Sequence, residues 1–365
     1  MSILGTRVLR VEDPKFLTVG GTYTADLDIP GALHVTYVRS ASPHARLAGV
    51  DVSAAAQAPG VVAVVTGADV DLAPQVGIMG MAPAPMARPY LATGVVRFAG
   101  EPIAAIVAET RAQGEDAAEL VVIDYEPLDA VIDPLAAMDG GPVVYPDHGS
   151  NRAISIAAVG GSTDPDEHLF DGCEVVVRQE IVNRRVAPCP LETRAAAARW
   201  EADGRLTYWV STQTPHGAKS KLAQVFGLEA DQVHVIVPDV GGGFGAKIGG
   251  YPEELLVVWL AKRLGRPVRW SESRSESMLG LGHGRAQYQV AELGGTRDGR
   301  IQAYRLTVVQ DAGAYPDMGA FLPFLTRSML PGVYDIERQE CIWTSVVTNT
   351  TPVVAYRGAG RPEAA

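Results

Sequence analysis

Seven consecutive residues, Gly241-Gly242-Gly243-Phe244-Gly245-Ala246-Lys247, are the stretch of this chain best suited to chemistry. A glycine run between a strand and a helix turns successive backbone N–H groups toward an anion or an oxo ligand, and no Cβ obstructs the approach. The run is not a nucleoside-triphosphate loop. That motif needs glycine where Ala246 stands and Ser or Thr where Ile248 stands. A dinucleotide fingerprint fits only loosely, as Gly241-x-Gly243-x-x-Ala246 with Glu272 near the acidic position, because the following helix starts at Pro252 rather than inside the motif. Taken alone, the run also suits a tight structural turn. Gln213 follows a β-rich stretch and can cap a turn or act as a neutral donor. Glu192 and Arg194 have the spacing of a strand-face ion pair, Phe244 can anchor a core, and Arg357 can neutralise a helix end. His216 and His234 have no partner at metal-ligand spacing.

The elements around these residues alternate between sheet and helix. Residues 32–38, 61–65 and 95–108 are β-rich, Thr110 is a plausible N-cap for a helix through 113–120, and 121–125 returns to strand. Residues 139–151 are rich in Gly, Pro, Asp and Ser, which places a domain join there. Beyond it, 175–182, 195–200 and 206–210 read as strands, with Asp203-Gly204 as a hairpin turn. Residues 216–226 form an amphipathic helix that Gly227 ends, 233–237 is a strand, and 252–264 is a helix with acids in its first turn and Gly265 at its end. A second hairpin turns at Asp298-Gly299 between 288–291 and 301–309, and 343–356 is β-rich. After the turn at 357–361, Pro362-Glu363-Ala364-Ala365 has the signature of a first helical turn, so the chain is expected to be cut in mid-element.

Of the 365 residues 47% are hydrophobic and 20% charged, which excludes disordered and small disulfide-stapled classes. A net charge of −11 without a basic run argues against nucleic acid as a partner. Charges, glycines and prolines interrupt every apolar stretch short of a membrane span, and the amino terminus lacks a secretory apolar run, which predicts a cytoplasmic protein. Cys173, Cys189 and Cys341 are too few and too scattered to ligate an iron–sulfur cluster from this chain alone.

Five ordered motifs carry a resemblance: Pro190-Leu191-Glu192-Thr193-Arg194, Ser211-Thr212-Gln213-Thr214-Pro215, the glycine run, Gln310-Asp311-Ala312-Gly313-Ala314-Tyr315, and Ala355-Tyr356-Arg357-Gly358-Ala359-Gly360-Arg361-Pro362-Glu363-Ala364. From about Arg10 onward the chain resembles the molybdopterin-binding large subunit of the xanthine dehydrogenase, aldehyde oxidase and carbon monoxide dehydrogenase family, in its N-terminal portion. The resemblance implies an α+β fold. An α/β hammerhead domain with an N-terminal arm, residues 1–135, would precede the first part of a molybdopterin-binding domain of mixed sheets and helices, residues 136–365.

By the same resemblance Gln213 is the catalytic residue of this stretch, donating to the metal's apical oxo ligand. Gly242, Gly243, Phe244 and Gly245 would bind the cofactor, with Arg357, Gly358 and Ala359 as a second loop beside it. No protein side chain ligates the metal, because the pterin supplies the sulfurs. The implied cofactor is molybdenum-molybdopterin in its cytosine dinucleotide form. The implied reaction is hydroxylation of an aldehyde or N-heteroaromatic carbon with water as the oxygen source. Electrons would leave to an iron–sulfur small subunit and an FAD-binding medium subunit, in a dimer of heterotrimers when full length. The general-base glutamate would lie beyond Ala365, so this chain alone is expected to be inactive. Ile248 stands where purine-hydroxylating relatives carry a substrate-contacting glutamate, and Gly358 where copper-containing relatives carry cysteine; both depart from those specialisations. Two other readings are a non-catalytic scaffold or assembly subunit of the same fold and a nucleotide-dependent oxidoreductase using the glycine run.

Overall fold

The computed structural model describes residues 4–77 and 80–365. Its strands are β1 Leu33–Arg39, β2 Ala45–Asp51, β3 Val61–Thr66, β4 Val95–Val96, β5 Pro102–Ala108, β6 Val122–Pro127, β7 Arg152–Ser155, β8 Val175–Asn183, β9 Ala195–Trp200, β10 Leu206–Val210, β11 Val233–Ile236, β12 Val268–Ser271, β13 Gln287–Gly295, β14 Ile301–Asp311 and β15 Arg338–Val346. They form a seven-stranded sheet in the order β11-β10-β9-β12-β1-β5-β3, a five-stranded sheet β7-β15-β14-β13-β8, and a three-stranded sheet β4-β2-β6. The seven-stranded sheet runs across the sequence join expected near residue 135, since β1 pairs in parallel with β12 through Leu33 and Val268.

Helix Pro252–Leu264 covers this sheet and supplies much of its core. Pro252 sits at its first position, where no N–H is needed, and the Glu254 carboxylate accepts the Tyr251 N–H at 3.1 Å. Gly265, with φ +62, ends it in the left-handed conformation. Leu255, Leu256, Val257, Val258 and Leu260 are almost wholly buried against Leu33, Val35, Ala196, Ala198 and Tyr208. Each such aliphatic side chain contributes roughly 1.5–3 kcal/mol through burial. Helix Pro215–Phe226 lies beside β11 and ends at Gly227, φ +64.

Two stretches of apparent strand are shorter than their composition suggests. Residues 95–108 split into β4 and β5, because the chain turns at Gly100, φ +99, before Pro102. The stretch 343–356 stays in the sheet only as far as Val346, after which Val347, Thr348, Asn349 and Val353 bond to loop carbonyls instead. Conversely β12 carries a weak sequence signal and is held by its neighbours β9 and β1, while helix Arg274–Gly280 is started by a capping box between Ser273 and Glu276.

Candidate functional site

The directions of the strands bring the candidate residues together. β10 and β11 are parallel, and β9 is antiparallel to β10. The segment entering β9 and the segments leaving β10 and β11 therefore share one edge of the sheet, so 190–194, 211–214 and 241–247 must meet there. β12 is antiparallel to β9 and β1 parallel to β12, which delivers Glu272 and Arg39 to the same edge. In the five-stranded sheet β14 and β15 are parallel and β13 antiparallel to β14, so Arg285, Asp311 and the run after Val346 leave on one edge. The two edges touch: a Cβ at Gly245 would lie 2.5 Å from the Ala355 carbonyl oxygen.

Gln213 organises the glycine loop. Its backbone N–H donates to the Lys247 carbonyl at 2.8 Å, and its side-chain oxygen accepts from the N–H groups of Gly245 at 2.8 Å and Lys247 at 3.3 Å. Two donors aimed at one atom fix that atom as the carbonyl oxygen, so the NH2 end is the one turned outward. Among the described residues this Nε2 has no hydrogen-bond partner. The N–H groups of Gly242, Gly243 and Phe244 are also without partners there, as are those of Arg357, Gly358 and Ala359. The glycines mainly permit close contact within the chain. A Cβ at Gly243 would strike the Gln213 side chain at 2.4 Å, and Gly242 and Gly245 have φ +98 and +97. Phe244 itself sits at φ +52, an uncommon conformation for a bulky residue. It is 37% exposed rather than a core anchor.

Glu192 and Arg194 do not pair with each other. The Glu192 carboxylate accepts from the Gly241 N–H at 2.7 Å, the Ser211 hydroxyl at 2.6 Å and Lys247 Nζ at 3.0 Å, which ties the three segments together. Burial holds the Lys247 amine below its ordinary pKa, while Glu192 pulls the other way. Arg194 is fully buried, bonds Glu272 and Glu253, and has its guanidinium carbon 4.0 Å from the Tyr251 ring centroid. Burial alone would raise Glu253, but Arg194 and Arg39 outweigh it and hold that carboxyl far below its usual range. Neighbouring Glu254 is pushed up to about 8, chiefly by burial. With Glu272 committed to Arg194, the acidic position of a dinucleotide fingerprint is occupied by a core ion pair.

The second loop rests on one arginine outside the five ordered motifs and on two residues within them. Arg285, at φ +65, donates to the carbonyls of Tyr356 at 3.1 Å and Arg357 at 2.8 Å, and pairs with the buried Glu363 carboxylate at 3.0 Å. Glu363 in turn accepts the Gly360 N–H at 2.7 Å. Gln310 Nε2 donates to the Arg285 carbonyl at 2.9 Å, which supports this brace from below. Gly358 has φ +86, and the Arg357 guanidinium carbon is 5.9 Å from the Phe244 ring centroid, so the two loops adjoin. Beside them lies a cavity of about 100 Å³, lined by Gly245, Ala246 and Ile248 on one wall and Met86, Tyr315 and Val354 among the others.

Gln213, Gly242, Gly243, Phe244, Gly245, Arg357, Gly358 and Ala359 thus gather around one mouth. Unpartnered N–H groups suit a group rich in oxo or phosphate oxygens, and the two carboxylates at the loop ends, Glu192 and Glu363, are already committed to Gly241 and Gly360. No group of three or more His, Cys, Asp or Glu side chains among the described residues could hold a metal ion, so a metal here would need ligands of its own. The cysteines are free, and burial pushes the Cys341 thiol up to about 12. No helix among the described residues is long and apolar enough to cross a membrane.

Known proteins match this arrangement. The family model of the molybdopterin cofactor-binding domain matches residues 145–365, and that of the aldehyde oxidase and xanthine dehydrogenase a/b hammerhead domain matches residues 18–129. The chain is 39% identical to the nicotine 6-hydroxylase large subunit of Paenarthrobacter nicotinovorans, over 98% of this chain and 45% of that protein. It is 35% identical to the carbon monoxide dehydrogenase large chain of Afipia carboxidovorans, over 97% and 45%. Quinoline 2-oxidoreductase from Pseudomonas putida 86 superposes with a TM-score of 0.91 at 38% identity, covering 98% of this chain and 46% of that one. The chain spans less than half the length of these relatives. With a hammerhead domain followed by a molybdopterin-binding domain, it belongs to the family of xanthine dehydrogenase, aldehyde oxidase and carbon monoxide dehydrogenase large subunits.

Proposed function

We propose that this chain forms part of the large subunit of a molybdenum hydroxylase that uses water to hydroxylate an aldehyde or N-heteroaromatic carbon. The observation that carries the reading is the pinned Gln213 amide, whose oxygen is held by two loop N–H groups while its Nε2 points outward. Gln213 Nε2 would donate to an oxo group of the cofactor, and the N–H groups of Gly242, Gly243 and Phe244 would hold neighbouring cofactor oxygens. Arg357, Gly358 and Ala359 close the opposite side. When bound, the molybdenum–pterin group supplies the redox chemistry that adds a water-derived oxygen and takes up two electrons. Lys247 and Glu192 keep the loop in register, and Ile248 gives the substrate an apolar wall. We assign the cofactor the cytosine dinucleotide form, and the electrons a route through an iron–sulfur subunit and an FAD subunit in a cytoplasmic dimer of heterotrimers.

The test is to express the chain within its natural full-length gene and measure molybdenum and pterin nucleotide. Stoichiometric amounts of both are expected, and absence of both overturns the reading. Gln213→Ala should lower turnover about a hundredfold to a thousandfold with molybdenum retained. Unchanged turnover removes Gln213 from the site.

A further inference from the structure

Arg88 is a cation with no direct ion pair among the described residues. Its guanidinium carbon lies 5.6 Å from the Phe98 ring centroid and 5.5 Å from that of Tyr315, and its side chain has no hydrogen bond or ion pair among the described residues. Its Nη2 is buried and unpartnered. Gln75 Nε2 is in the same condition. The two residues are clasped backbone to backbone, with N–H to carbonyl distances of 2.8 and 2.9 Å, and both line the cavity that Gly245 and Ile248 bound on another side. The nearby acids feel the Arg88 charge without bonding it. The Glu101 carboxylate is taken by the Tyr315 hydroxyl and the Arg97 N–H, and Asp317, also on the cavity, is raised by burial and drawn the other way by Arg88 but makes no hydrogen bond or ion pair with it. A half-buried guanidinium with an unpartnered, buried Nη2 suits an oxyanion with fork geometry, and a chain of net charge −11 has carboxylates enough to have supplied one directly.

We propose that Arg88, assisted by Gln75, binds the carboxylate of a planar heteroaromatic acid whose ring packs against Ile248, Met86 and Val354. The inference rests on the hydroxylase reading for its substrate role and names the class: ring substrates that carry an anionic oxygen substituent. Arg88 then orients the ring, pulling its charged edge toward the hammerhead residues and leaving the opposite edge toward the glycine loop.

The test is calorimetric titration of the full-length protein with isonicotinate and with isonicotinamide, which share shape and ring and differ in charge. The carboxylate should bind about tenfold tighter or more, and added salt should shrink the difference. Arg88→Met keeps an unbranched stem between Phe98 and Tyr315 and should abolish the preference while leaving the amide's affinity alone. Arg88→Lys should keep part of it. Equal affinities in the native chain, no binding of either probe, or a preference that survives in Arg88→Met each overturns the proposal. The titration needs no cofactor, so its outcome is separate from the reading beneath it. A full-length protein that never holds molybdenum sinks the hydroxylase and leaves the anion preference standing, whereas a molybdenum-loaded enzyme without the preference sinks only the inference.

Discussion

The pinning of Gln213 by the glycine loop can be measured without any cofactor. In Gly243→Ala the new Cβ would stand 2.4, 2.6 and 2.7 Å from Oε1, Cδ and Cγ of Gln213, where carbon contacts normally settle at roughly 3.5–4.0 Å. Gly243 lies outside the left-handed region, so the alanine backbone itself is not strained. Relief must come from the glutamine, which withdraws by roughly 1 Å and releases the N–H groups of Gly245 and Lys247. At about 0.5–1.5 kcal/mol for each bond lost, the variant should be destabilised by about 1–2 kcal/mol. Gln213→Ala loses the same two bonds and should cost a similar amount. The double variant has no collision left to relieve, so it should cost no more than Gln213→Ala, giving a coupling about as large as either single effect. Urea unfolding of the four proteins reads this directly. Gly245→Ala is the control: its Cβ meets the Ala355 carbonyl at 2.5 Å from a φ of +97, a backbone clash that no Gln213 substitution relieves. Strict additivity of Gly243→Ala and Gln213→Ala would refute the reasoning.

Three further outcomes follow from the charges around the loops. Because burial pushes Glu254 up to about 8 from an ordinary 4.5, the folded chain keeps a proton that the unfolded chain has released, and stability falls as pH rises between those values; Glu254→Gln should flatten that slope in denaturant midpoints, and an unchanged slope counts against a protonated Glu254. Arg194→Met leaves Glu253 and Glu272 buried without their shared cation and should cost about 3–5 kcal/mol in unfolding free energy, far more than an exposed pair such as Arg111–Glu115, which is worth about 1 kcal/mol or less. Glu363→Ala removes the acceptor of the Gly360 N–H and of Arg285, so limited trypsin digestion should cut after Arg357 faster than in the native chain, with an unchanged rate showing that the brace does not order the loop.

Local signals in the sequence located the loops, and strand polarity explains why they meet. Thr110, Gly227, Gly265 and the Asp203-Gly204 turn act within a few residues of themselves, which is why those boundaries are legible in composition. The partnerships that set the site act across the sheet. Glu192 and Arg194, two apart in sequence, would share a face on an extended strand, but the chain bends at Leu191–Glu192 before β9 begins, and the two side chains enter separate networks with Lys247 and Glu272. Arg285 carries no motif, and its pairing with Glu363 emerges only once β13 and the run after β15 share an edge. The same logic bears on Ile248. On the proposed reading, the loop N–H groups and the Gln213 side-chain amide would serve any ring brought to them, and choice of substrate would fall to side chains on the cavity wall. Among these are an isoleucine from the loop and an arginine from the hammerhead domain, 160 positions apart in sequence (248 − 88), which the glycine-loop motif alone would not have set side by side.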